Sequence, residues 1–293
     1  MSQGSIAADA GDATVASPLS GFDTHKALFE GVIGPTTMAR VGGAVEDVEE
    51  AGLLQRANER RDVRAVLQQS ALEHILKQAL LLPNTEKQAH AIDQGWMIRF
   101  VDCAQTAGNE LDQGVWAGLL ALEMRFPGAV SKRALTFLRD MDTWELTAFI
   151  EYCAFSFTFE SGWRFMFDEE MARREMWSYG RETDLTAHWI SIGLLSAETD
   201  VLGAGSIRGL RIGYRERWWA LHSGQAPASG SDRCCGLTYR KFSPIGQQIA
   251  SVLKTKPFNG YARNLLQALS AASGLVFELV EVLDSDQKVS VNC

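Results

Sequence analysis

Two positions come closest to an acid–base pair. Six residues separate Arg181 from His188 at the mouth of a predicted helix. A histidine there would move a proton while the arginine steadied charge on a phosphate. One Arg and one His at so loose a spacing also arise by chance, and the residue after Arg181 is Glu182 rather than a neutral polar partner. The other histidines, His25, His74, His90 and His222, show no H-E-x-x-H or paired ligand spacing, and Cys103 and Cys153 have no histidine near them in sequence. No metal is implied. The glycine-rich run from Gly203 to Gly213 lacks the lysine and the following helix of a phosphate cradle, so no cofactor and no small-molecule substrate is evident. Glu123 with Arg125, and Asp140 with Asp142, could be drawn as acid and base, but a packed helix-end carboxylate with a salt bridge, and a capping site, weigh more.

A second chemistry is phosphate contact. Arg208, Arg211, Arg215 and Arg217 stand beside Tyr214, Trp218 and Trp219, with Arg240 and Lys241 further on. Guanidinium groups would face phosphates and rings would face bases. Ser206 to Arg263 holds ten Lys or Arg against two Asp or Glu, a balance of +8, which leaves −16 for the rest of a chain whose net charge is −8. The plainer reading is a half-exposed strand, with Arg211, Arg215 and Arg217 on one side and Ile212 and Tyr214 on the other, paired with the acidic half of the chain or a partner.

The elements that must position these groups centre on Gln94 to Arg139. Trp96, Phe100 and Cys103 recur at four- and three-residue steps, which predicts a helix from about Asp93 to Ala107, broken by Gly108 and Asn109. A second helix carries Leu111, Val115, Leu119 and Leu122 on one face, with Trp116, Leu120 and Glu123 beside it, and ends at Pro127 and Gly128. Ser131 is a candidate N-cap for a third helix, and Asp142 or Thr143 for a fourth. Ahead of this bundle, Val45 to Leu82 reads as one long helix or as two broken at Gly52. After it, Phe155, Phe157 and Phe159 alternate in a way that fits a strand or a helix end. Then come a charged helix to Gly180, a helix stopped by Gly193, strands around a Pro-, Ser- and Gly-rich loop at Gly224 to Ser231, a Ser243–Gly246 segment leading into a helix, another helix from about Asn259 to Ala272, and a final strand, LVFELVEV.

The pattern of Trp96, Arg99 and Phe100, then Trp116, Ala117, Leu119, Leu120 and Glu123, then Pro127, Gly128, Ser131, Arg133, Leu135 and Leu138, resembles a bacterial family known only as a domain of unknown function. That family is in turn similar to the alpha group of abortive-infection proteins. The resemblance implies a cytoplasmic bacterial protein of an anti-phage locus, with no catalytic residues to carry over. Ala121 and Leu122 stand where an alanine and a glycine are expected, so a close helix contact there is altered. Separately, the Arg181 to His188 spacing resembles the R-x(4-6)-H signature of helical ribonucleases from bacterial defence systems.

These observations predict a mainly α protein: a disordered tail (1–21), a helical arm (22–87), a helical bundle (88–180) and a basic winged-helix-like α+β domain (181–293). Five cysteines without C-x-x-C spacing fit a reducing cytoplasm, no apolar run is long enough to span a membrane, and the N-terminus has no secretory pattern. The expected role is a non-enzymatic interaction or sensing component of phage defence, with a protein partner or self-association through the arm and bundle. A nucleic-acid-binding regulator and a ribonuclease using Arg181 and His188 are the alternatives.

Overall fold

The computed structural model describes residues 32, 34, 35, 37, 50–82, 91–180, 183–203, 207, 209–223 and 236–282. The expected tail and the first residues of the expected arm, 22–31, lie outside the described residues, as does the loop from Gly224 to Ser231. Backbone contacts divide the chain into two compact units, Met1–Ser70 and Ala71–Cys293. The described part of the first is mainly the leading portion of one helix, α1 (Glu50–Leu81), which runs unbroken past Gly52. In the second unit the last turns of α1 bury Ile75 and Ala79.

Four short helices follow: α2 (Gln94–Ala104), α3 (Glu110–Arg125), α4 (Lys132–Asp140) and α5 (Thr143–Cys153). Each starts where a short polar side chain can take up an orphan backbone N–H. Asp93 accepts from the amide of Trp96, Asn109 from Asp112 and Ser131 from Ala134, while Asp142 and Glu145 form a reciprocal capping box on α5. Of the residues predicted on the inward faces, Trp96, Phe100, Cys103, Val115 and Leu119 are buried, whereas Leu111, in the first turn of α3, is exposed. Trp96 stacks on Phe100 with ring centres 5.2 Å apart, and Phe100 meets the edge of Trp116 at 5.7 Å.

Beyond Cys153 the expectation of a mainly α protein fails. The fold is α+β, built on one seven-stranded sheet in which every pairing is antiparallel. Its strands are β1 (Phe157–Phe159), β2 (Arg164–Phe167), β3 (Asp200–Leu202), β4 (Arg211–Tyr214), β5 (Arg217–Ser223), β6 (Leu237–Lys241) and β7 (Leu275–Val282). Their order across the sheet is β3-β6-β2-β1-β4-β5-β7. A winged-helix-like unit confined to the C-terminal part is therefore replaced by a sheet that starts at Phe157 and takes β1 and β2 into its centre. The ambiguous phenylalanine run is the reason. With Phe157 opposite Phe165, Phe167 opposite Tyr239 and Phe159 opposite Ile212, period-two alternation puts all of these on one face.

Helices α6 (Glu170–Ser178), α7 (Thr186–Ser191), α8 (Pro244–Val252) and α9 (Tyr261–Ser273) complete the fold. Tyr261, at the first position of α9, puts its ring against Phe155, Phe157 and Tyr214 and so fastens α9 to the aromatic face. Ser243 caps α8 through the amide of Gly246, with Pro244 at the first turn where its missing N–H costs nothing. Gly246 is required by packing: a Cβ there would lie 2.0 Å from the Leu194 carbonyl oxygen.

Candidate functional site

The family-like motif proves to be an internal clasp. The Glu123 carboxylate is 2 % exposed and accepts from the amides of Gly128 at 2.7 Å and Val130 at 2.9 Å. Trp96 donates through Nε1 to the Val130 carbonyl at 2.7 Å. Pro127 and Gly128 make the turn these bonds hold, with Gly128 at φ 90°. Ser131, besides capping α4, donates from both its amide and its hydroxyl to Gln248 on α8. Arg99 donates to Thr136 at 2.9 Å, and Arg133 is exposed on α4. Apart from Arg133, these residues hold the bundle together.

Of the acid–base pair, Arg181 lies outside the described residues. His188, on α7, has Nε2 2.8 Å from Glu145 Oε1 and its ring 5.2 Å from that of Trp144. Glu145 Oε2 accepts from the Asp142 amide in the capping box, so this carboxylate joins the imidazole to the start of α5. Tyr152 and Cys153 are unsuited as acids or nucleophiles at neutral pH, because burial pushes the Tyr152 phenol up and the Cys153 thiol up to about 12. Among the described residues no group of three or more His, Cys, Asp or Glu side chains is placed to hold a metal ion.

The six basic residues singled out for phosphate contact part company in space. Arg208 lies outside the described residues. Arg240 is turned inward: its guanidinium reaches Asp168 at 2.7 Å and the carbonyls of Ser196 and Ala197 at 2.8 Å each. Lys241 pairs with Asp200 at 2.7 Å, and Arg211 lies 3.6 Å from Glu160. Arg215 and Arg217 have another setting. Strands β4 and β5 meet in a tight turn at Arg215 and Glu216, and a pocket there is lined by Arg215, Glu216, Arg217, Phe258, Ala262 and Arg263 among others. Arg263, from the first turn of α9, counted in the basic stretch but was not singled out in sequence, since only folding brings it beside a hairpin some fifty residues away.

The turn is strained. Arg215 has φ 61°, the one non-glycine residue with positive φ among those described, a conformation that L side chains rarely adopt. Its guanidinium is held in place, donating to the Thr255 hydroxyl and lying over the Tyr214 ring. Arg217 and Arg263 are exposed and make no side-chain ion pair or hydrogen bond among the described residues. Behind the turn, Arg164 donates to the Ser156 hydroxyl at 3.2 Å, and burial draws its guanidinium below the usual arginine value. Arg215 is close enough to add to that lowering.

Fold and site together define an α+β protein with a single antiparallel sheet and an arginine-lined pocket at one hairpin. The chain belongs to the family described as "Protein of unknown function (DUF2806)", whose pattern matches residues 55–266. No curated protein and no solved structure matches the chain. Among the described residues, no helix is long and apolar enough to cross a membrane.

Proposed function

We propose that this protein is a non-enzymatic interaction component that contacts nucleic acid through the basic turn end of its β4–β5 hairpin. Its resemblance to alpha-group abortive-infection proteins suggests an anti-phage setting. The observation that carries the reading is that three arginines, from the β4–β5 turn, β5 and α9, line one pocket, none of them with a carboxylate partner among the described residues. Arg240 is paired with Asp168, whereas Arg217 and Arg263 face water in a concave site where a phosphate can reach them. The acidic remainder of the chain would keep non-specific contact low and confine binding to this edge.

The test is fluorescence anisotropy of labelled DNA and RNA, single- and double-stranded, across a range of salt. Binding that falls steeply with salt and is lost in Arg217→Glu/Arg263→Glu is the expected result. An unbound probe at low salt would remove the reading and leave the basic edge to protein contacts.

A further inference from the structure

The shape and charge of the hairpin pocket say more about the ligand than that it is anionic. A groove for the middle of a strand needs positive charge spread along a path, so that successive phosphates, each carrying a single charge, are met in turn. Within the lining the charge is gathered at one place, and Lys254 and Lys256, exposed on the segment before Pro257, lie outside it. The lining holds three arginines and one glutamate, a net +2. Glu216 shares the turn with Arg215 and is exposed, which is unfavourable for a phosphodiester chain crossing it. The partly buried Phe258 ring and Ala262 supply the apolar part of the lining, and the Phe258 ring is fixed by stacking on Phe155 at 4.5 Å. The other basic side chains singled out in the sequence are either neutralised by Asp168, Asp200 and Glu160 or lie outside the described residues, so no described basic track leads away along the sheet through them.

We propose that this pocket binds the terminal phosphomonoester of a nucleic-acid end. A phosphomonoester carries about −1.5 to −2 charges at neutral pH and three acceptor oxygens. The lining charge balances it, and three guanidinium groups can serve the three oxygens with charge-assisted hydrogen bonds. A diester, with one charge and two free oxygens, leaves one arginine unmatched. Holding Arg215 at φ 61° by its bonds to Thr255 and Tyr214 gives one of the three guanidinium groups a fixed position before the ligand arrives, which lowers the ordering cost of binding. This inference rests on the nucleic-acid reading above and narrows it from a backbone to an end.

The experiment uses the full chain and a single-stranded oligonucleotide labelled at its 3′ end, made with a 5′-phosphate or a 5′-hydroxyl, with anisotropy read at near-physiological salt. The 5′-phosphate form binds at least about tenfold tighter, the equivalent of about 1.4 kcal/mol. That preference disappears in Arg263→Gln and in Arg217→Gln, both exposed positions whose replacement leaves the thermal melting curve unchanged. A nucleoside 5′-monophosphate, added as competitor, displaces the oligonucleotide only at a large excess. Equal, salt-sensitive binding of the two oligonucleotides would overturn end recognition and leave the basic-edge reading standing. Competition by the mononucleotide at matched concentration would overturn it in favour of a free nucleotide. Failure of both oligonucleotides to bind at low salt would remove the underlying reading itself.

Discussion

Glu123 shows how a single residue can look chemical in sequence and be structural in the fold. A buried carboxylate facing two backbone amides is satisfied by both, and no other side chain of similar size offers two acceptor oxygens at that reach. Glu123→Gln keeps the shape but turns an NH2 toward one of the two amides. That leaves a buried donor facing a donor, and the expected cost is about 2–3 kcal/mol. Urea unfolding should show it as a lower midpoint with an unchanged slope, since the surface exposed on unfolding is the same. A midpoint equal to that of the unaltered protein would mean that the Phe126–Val130 turn does not depend on this carboxylate. His188 carries the same lesson less completely. Its imidazole is held by Glu145 and lies beside Trp144, an arrangement that ties α7 to the start of α5.

Among the elements, α3 and α8 approach where Gly118 faces Val252: a Cβ at Gly118 would lie 2.9 Å from the Val252 Cβ. Alanine there gains up to about 1 kcal/mol of helix propensity but forces the helices apart, and overpacking costs about 1–3 kcal/mol, so Gly118→Ala is expected to destabilise. Val252→Ala in the same chain should restore stability, and a double-mutant cycle measures the coupling. Leu122, where a glycine was expected, packs against the core, and the close approach lies one turn earlier, at Gly118. At the sheet edge, Lys241 holds the Asp200 carboxyl below the usual carboxylate range, and Asp200 in turn raises Lys241. The stabilisation of the β3–β6 pairing is present between the two titrations. It is lost as pH falls through the lowered value of Asp200, and again as pH rises through the raised value of Lys241. Hydrogen exchange of β3 and β6 amides in acid should show that loss, and Asp200→Asn should abolish its pH dependence. Ser131 and Asp142 were legible as caps because each acts on an amide three residues on, and Asn109, read as a break, caps α3 in the same way. The sheet was not, because β2 pairs with β6 more than seventy residues on, and a three-residue strand such as β1 is too short for its period to be distinguished from a helix end.

For the whole molecule, the question is how a chain of net charge −8 uses a stretch of local balance +8. Folding sorts that charge into two populations. Arg240, with a side chain 12 % exposed, and Lys241 are spent on Asp168, Asp200 and backbone carbonyls, while Arg217 and Arg263 remain on the surface. The hairpin half of the candidate site was legible as a run of arginines. The division between inward and outward was not, because it is set by where Asp168, Asp200 and α9 arrive in space. The two populations should respond oppositely. Arg240→Gln leaves the part-buried Asp168 with only Arg173 and removes the donor to the Ser196 and Ala197 carbonyls, so it should cost about 3 kcal/mol in unfolding while leaving the salt dependence of nucleic-acid binding unchanged in the folded fraction. Arg217→Gln/Arg263→Gln should leave unfolding unchanged to within about 0.5 kcal/mol and flatten the plot of log affinity against log salt, by about 0.7 for each phosphate of a single strand no longer neutralised. A slope that flattens with Arg240→Gln and not with the surface pair would place the nucleic-acid contact away from the hairpin.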